Sequence, residues 1–131
     1  MSTSQVRPSS TPAATREALL RQGAALMQSE NFEDAAHWYG LALDEFPDDA
    51  QFYYCKGVAH HQEQQYLKAI DCYCAALQIK IDFADAFENL SDAQAKMHMF
   101  DDAFLSISAA IALRPKKALS HARQAQVLVQ Q

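Results

Sequence analysis

A 34-residue period constrains this 131-residue chain more tightly than any other feature. Leu19, Gly23, Leu26, Phe32, Ala35, Tyr39 and Ala42 recur 34 positions later as Tyr53, Gly57, His60, Tyr66, Ala69, Tyr73 and Ala76. They recur again as Phe87, Ser91, Gln94, Phe100, Ala103, Ile107 and Ala110. Within each unit the apolar and small residues step by three and four, the spacing of one helix face. Each unit is interrupted near its middle by a polar turn, Glu30-Asn31 in the first and Gln64-Gln65 in the second. The chain therefore reads as all-α, built from repeated helix pairs. Each pair buries its inner face only by stacking on its neighbours.

The repeats span 16–49, 50–83 and 84–117. Residues 118–131 (ALSHARQAQVLVQQ) are expected to form a capping helix over the last apolar face. Residues 1–15 are rich in Ser, Thr and Pro without apolar periodicity, and are expected to be a flexible tail with Thr15 capping the first helix. Pro47 and Pro115 close the first and third repeats, and Asp48-Asp49 is placed to cap the helix that follows. The second repeat has Ile81 in the proline's place, so its junction is expected to be held by an apolar contact. Gly23 weakens an isolated helix by roughly 1 kcal/mol relative to Ala. Its place in the repeat implies close approach of the partner helix.

Composition excludes several function classes. A net charge of -5 argues against nucleic acid, which calls for a basic face. No apolar run reaches the ~18 residues of a membrane span, and no signal-peptide core is present. Three cysteines, Cys55, Cys72 and Cys74, suggest no disulfide framework. Cys72 and Cys74 stand two apart on a helix and so cannot readily share a metal ion, even with His60 and His61 nearby. The three glycines form no phosphate loop, and the five histidines match no catalytic spacing. No enzyme activity, metal or cofactor is expected.

The period and its residue types identify the chain as a member of the tetratricopeptide-repeat (TPR) class, which implies a right-handed solenoid whose first helices line a concave groove. Positions 2, 5, 9 and 12 of those helices share a face. They are Glu17, Leu20, Ala24 and Met27 in repeat one. In repeat two they are Gln51, Tyr54, Val58 and His61, with Cys55 beside them. In repeat three they are Asp85, Glu88, Asp92 and Ala95, flanked by Asn89 and Lys96. The expected peptide-binding groove is thus an apolar trough of Leu20, Ala24, Met27, Tyr54, Cys55, Val58 and His61. It leads to a polar end of Asp85, Glu88, Asn89 and Asp92. This suits an extended segment with apolar anchors and a cationic or amide-rich end.

Two TPR groups are relevant. Co-chaperones that hold the C-terminal carboxylate of heat-shock proteins need Lys and Asn where this chain has Leu20 and Ala24. They also need Asn at Cys55, and basic residues at Asp85 and Asn89. That clamp is absent, because Asp85 cannot hold a carboxylate. The chain more closely resembles the class II chaperones of bacterial type III secretion. The resemblance runs through Tyr53…Gly57-Val58-Ala59, Tyr66-Leu67-Lys68-Ala69-Ile70 and Tyr73…Ala75-Ala76. It also includes the proline-free junction Gln78-Ile79-Lys80-Ile81-Asp82. It implies a bacterial cytoplasmic chaperone without cofactor, holding an extended segment of a secreted translocator, with a homodimer among its assemblies. The family often carries aromatics where Leu20, Ala24 and Met27 stand, and a further helical segment before repeat one. A general TPR scaffold joining other proteins is the alternative.

Overall fold

The computed structural model describes residues 12–115, with side chains from Thr15 onward. Six helices follow in order: α1 (Pro12–Gln28), α2 (Phe32–Glu45), α3 (Ala50–Gln62), α4 (Tyr66–Ile79), α5 (Ala84–Lys96) and α6 (Phe100–Leu113). Among the described residues there is no strand. Each helix packs on its neighbours in the chain, and α3 also touches α5 across the repeat boundary. The expected all-α architecture of stacked helix pairs is what the chain adopts. The expected capping helix at 118–131 lies outside the described residues.

Helix α1 starts at Pro12, earlier than the Ser/Thr/Pro composition suggests. Proline is well placed in a first turn, where its missing N–H has no intrahelical partner to lose. Thr15 therefore lies inside α1 rather than capping it. Asp49 caps α3 as its position implies, accepting from the backbone N–H of Gln51 (3.0 Å) and Phe52 (3.3 Å). Arg16 of α1 binds the same carboxylate and lies over the Phe52 ring, tying the first two repeats together.

The turns inside the three repeats are closed identically. The N–H groups of Asn31, Gln65 and Met99 reach back to the carbonyls of Leu26, His60 and Gln94 at 2.9, 2.9 and 2.8 Å. Such six-residue closures need a left-handed residue just before their last position. Glu30, Gln64 and His98 supply it, at φ of 61°, 61° and 63°. An L residue is strained there and glycine is not. Replacing the exposed Glu30 by glycine is expected to raise the unfolding free energy by about 0.5–1 kcal/mol, a few degrees in a thermal melt. An unchanged or lower melting temperature would show that this turn carries no such strain.

The junction after repeat two corrects one expectation. Ile81 is 73% exposed and holds nothing together. The helix is closed instead by Lys80 N–H to the Ala76 carbonyl at 2.9 Å. The homologous bonds at Phe46 and Arg114 are 2.9 and 3.0 Å, so the cap forms with or without the proline. The buried residue of the junction is Phe83, two positions on, whose ring lies 4.9 Å from that of Tyr54.

Among the described residues, two apolar clusters form the core. One joins Ala35, Tyr39, Ala42, Leu43, Phe52 and Ala59 between α2 and α3. The other joins Ala69, Ile70, Tyr73, Leu77, Phe83, Ala86 and Leu90 across α4 and α5. Their closeness depends on glycine. A Cβ on Gly23 would stand 2.3 Å from Tyr39 Cζ, and one on Gly57 2.7 Å from Tyr73 Cε1, far inside van der Waals contact. In repeat three the equivalent pair is Ser91 with Ile107, both fully buried. A larger residue at the first position accompanies a smaller one at the second.

Candidate functional site

The face where α3 meets α5 holds a cavity of about 340 Å³, lined by Val58, His61, Gln62, Gln64, Tyr66, Tyr73, Asn89, Asp92 and Lys96. Its floor is a chain of side-chain hydrogen bonds. His61 Nε2 lies 2.7 Å from Asp92 Oδ2, and its Nδ1 lies 3.0 Å from the Tyr73 hydroxyl. With Nε2–H donated to the carboxylate, Nδ1 of the neutral ring accepts the Tyr73 phenol proton. Lys96 also faces Asp92, at 3.8 Å, and its ammonium lies 5.9 Å from the Tyr66 ring centre. The His61 ring meets Tyr66 edge-on at 5.5 Å. A second link spans the same two helices, where Asn89 Nδ2 donates to the Tyr54 hydroxyl at 3.1 Å.

The structure thus gathers Tyr54, Val58, His61, Asn89 and Asp92 at one place. Leu20, Met27 and Cys55 are partly buried against the first core cluster, and Ala24 is exposed on α1. None of these four lines the α3–α5 cavity. Gln51 Nε2 lies 3.7 Å from Cys55 Sγ. Burial, the largest influence on the Cys55 thiol, pushes its pKa up. That favours the uncharged thiol over the reactive thiolate.

The carboxylates have engagements of their own. Asp92 is held by His61 and Lys96, and Asp85 accepts from Arg114 Nη2 at 2.7 Å. Glu88 is only 4% exposed, inside the stack rather than on an open face. Sequence reading placed Tyr73 in the core without foreseeing that its hydroxyl would anchor His61. It did not single out Tyr66, Gln62 or Gln64 for this cavity. The recurrence of tyrosine at positions 39 and 73 marks a core position and says nothing of where the phenol points.

Burial raises the Tyr54 phenol to about 12 and pushes Tyr39 and Tyr73 higher still. Unfolded tyrosine ionises near ~10. The stabilisation from keeping these phenols neutral is full below that value and is lost as pH climbs toward the folded values. Melting temperature is therefore expected to fall steeply between about pH 10 and 12. Tyr54→Phe should flatten that fall, and an unaltered slope would exclude Tyr54 as a contributor.

A larger cleft, about 730 Å³, lies on the other side between α2 and α4. Lys56, Lys68, His37 and His60 share it with Glu33, Glu63 and Asp71, so its charge favours no one ligand class. Among the described residues no group of His, Cys, Asp or Glu could hold a metal ion. No helix there is long and apolar enough to cross a membrane.

The chain matches no protein-family model and no curated protein. Many solved structures share its fold. It superposes on the second TPR domain of human RPAP3, solved with an HSP70 peptide, with a TM-score of 0.84 at 14% identity, covering 89% of this chain and 98% of that one. The TPR2B domain of yeast Sti1, solved with an Hsp70 partner, gives 0.84 at 16% identity, covering 88% and 98%. PcrH, solved in complex with the chaperone-binding region of PopD, gives 0.78 at 18% identity, covering 92% and 90%. At these identities the likeness speaks for the fold, and the fold of this chain is that of a tetratricopeptide-repeat domain.

Proposed function

We propose that this chain is a non-enzymatic, peptide-binding TPR protein that holds an extended segment of a client protein along the face formed by α1, α3 and α5. The observation that carries the reading is the α3–α5 cavity, where Val58, His61, Asn89 and Asp92 converge from two helices, with Tyr54 hydrogen-bonded to Asn89. Similar folds are solved with peptides or partner segments of other proteins, which supports the same use here. Leu20, Ala24, Met27 and Cys55 extend the face along α1 and α3 as an apolar trough.

The finer reading is a cytoplasmic chaperone for a bacterial type III secretion translocator. Its support is the proline-free junction Gln78–Asp82 and the likeness to PcrH. The heat-shock carboxylate clamp has no cation at Leu20, Ala24, Cys55, Asp85 or Asn89, which argues against that use. A translocator exposes apolar segments that aggregate or insert early, and a groove that orders such a segment only on binding keeps it soluble yet releasable. A homodimer remains among the assemblies proposed.

Co-expression with candidate translocator subunits, copurification and sizing test this. A soluble complex of defined stoichiometry supports the chaperone. A folded chain that retains no translocator leaves the general scaffold as the reading.

A further inference from the structure

We infer that the outer face of α4 and α6 docks an amphipathic helix of a partner protein, one whose apolar stripe is flanked by Lys or Arg. This surface lies apart from the groove of α1, α3 and α5. The inference does not depend on what that groove holds.

The cleft between α2 and α4 has a counterpart one repeat on, because each residue lining it recurs 34 positions later. In the first cleft Glu33, Glu63, Asp71, Lys56 and Lys68 carry both signs of charge. Their counterparts between α4 and α6 are Leu67, Met97, Leu105, Leu90 and Asp102. Three carboxylates and one ammonium give way to apolar side chains, and the other ammonium to a carboxylate. Leu67, Met97 and Leu105 are 59%, 37% and 68% exposed. A single exposed leucine means little. Three apolar side chains on one face, where the neighbouring repeat carries charges, mark a contact surface.

The floor of this face favours a helix over a strand. Ile70 and Leu90 are buried in it, and Ser106 Oγ donates to Gln94 Oε1 at 2.7 Å. The polar floor groups thus bond to each other. A strand laid here would leave the N–H and C=O groups of its inner edge without partners, whereas a helix satisfies its own.

Charge then selects the kind of helix. Asp71 on α4 and Asp102 on α6 flank the apolar residues, and neither is in an ion pair among the described residues. None of the positions that recur from the first cleft is Lys or Arg here. Two such carboxylates favour a cationic partner and disfavour a second copy, which would bring its own carboxylates against them. Residues 116–131 are the rival within the chain, since they hold Lys116, Lys117 and Arg123 and no acidic residue. Phe104 and Ile111 are the counterparts of Ile70 and Leu77, which pack against α5, yet they are only half-buried. That end of the stack is the nearer place for a segment that starts just after α6. The outer face is left to a partner.

The test follows the exposed thiol of Cys74, the counterpart on this face of Gly40, with buried Cys72 as the reference. In the full chain alone, N-ethylmaleimide should modify Cys74 readily and at a rate independent of protein concentration. Protection in the dilute chain would show that a segment of the chain itself covers the face. Protection that grows with concentration would assign the face to a second copy. Either result overturns the inference. Helix-forming peptides of about 16 residues, long enough to hold a helix, are then selected from a displayed library against the full chain. Binders are expected that keep their affinity for Ala24→Glu and carry Lys or Arg beside an apolar stripe. At ten times their Kd they should slow Cys74 modification about tenfold. Leu105→Asn should weaken them about tenfold or more, and Asp102→Lys about fivefold. Leu105 is exposed, so its replacement leaves the fold standing. A selection without binders of this kind overturns the inference and leaves the groove reading as it was.

Discussion

Gly23→Ser is expected to lower the unfolding free energy by about 2–3 kcal/mol, roughly 10 °C in melting temperature for a domain of this size. The added Cβ meets Tyr39 at 2.3 Å from Cζ and 2.5 Å from Cε1 and the hydroxyl oxygen. Tyr39 is 2% exposed and set against Phe52, with ring centres 6.3 Å apart, so the ring has no open direction in which to move. The third repeat supplies the remedy, because it carries Ser91 and Ile107 at the equivalent places, both buried. Tyr39→Ile alone leaves a cavity beside the glycine and should also destabilise, by about 2–4 kcal/mol. The double variant Gly23→Ser, Tyr39→Ile should be at least as stable as either single variant, which makes the coupling about 2 kcal/mol or more in a double-mutant cycle followed by urea unfolding. Simple additivity of the two losses would mean that Gly23 and Tyr39 do not define the spacing of α1 and α2.

That pair also shows what the sequence makes legible. The 34-residue period implies that the partner helix approaches Gly23 closely, because a fixed repeat brings the same positions together; that the residue met there is Tyr39 comes from the structure. The Asp49 cap was legible for a similar reason, since its partners are two and three residues away. Misreadings arose where partners come from outside the local helix. Ile81 took the proline's position, so it read as the junction's contact. Backbone closure at Lys80 does not need it, and Phe83 fills the space. The start of α1 at Pro12 was hidden because Ser, Thr and Pro read as unstructured, although proline fits a first turn. On α5, helical spacing put Asp85, Glu88 and Asp92 on one face. It could not show that Glu88 is covered, that Arg114 reaches Asp85 from 29 residues away, or that His61 reaches Asp92 from 31. A face is a local property; which neighbour covers it is not.

Ala24→Glu should separate binding from folding more cleanly than any other substitution on the proposed face. Ala24 is exposed, so the longer side chain displaces nothing, and glutamate is a good helix former. The melting temperature should stay within about 2 °C of wild type. Gly23, its neighbour, is pinned against Tyr39, which fixes the rotation of α1 and so the direction in which residue 24 projects. A carboxylate there places an unpaired charge against any apolar segment lying along α1. Client affinity should fall by about 30-fold or more, a penalty of roughly 2 kcal/mol or above. Ala69→Glu is the contrasting case. Ala69 has no exposure, so the charge is buried without a partner and the domain should unfold, losing binding as a consequence. A chain with glutamate at 24 that melts like wild type and binds like wild type would remove α1 from the groove. Binding would then be confined to the α3–α5 cavity, where the His61–Asp92 link already spans the two helices and the Asn89–Tyr54 link joins them as well.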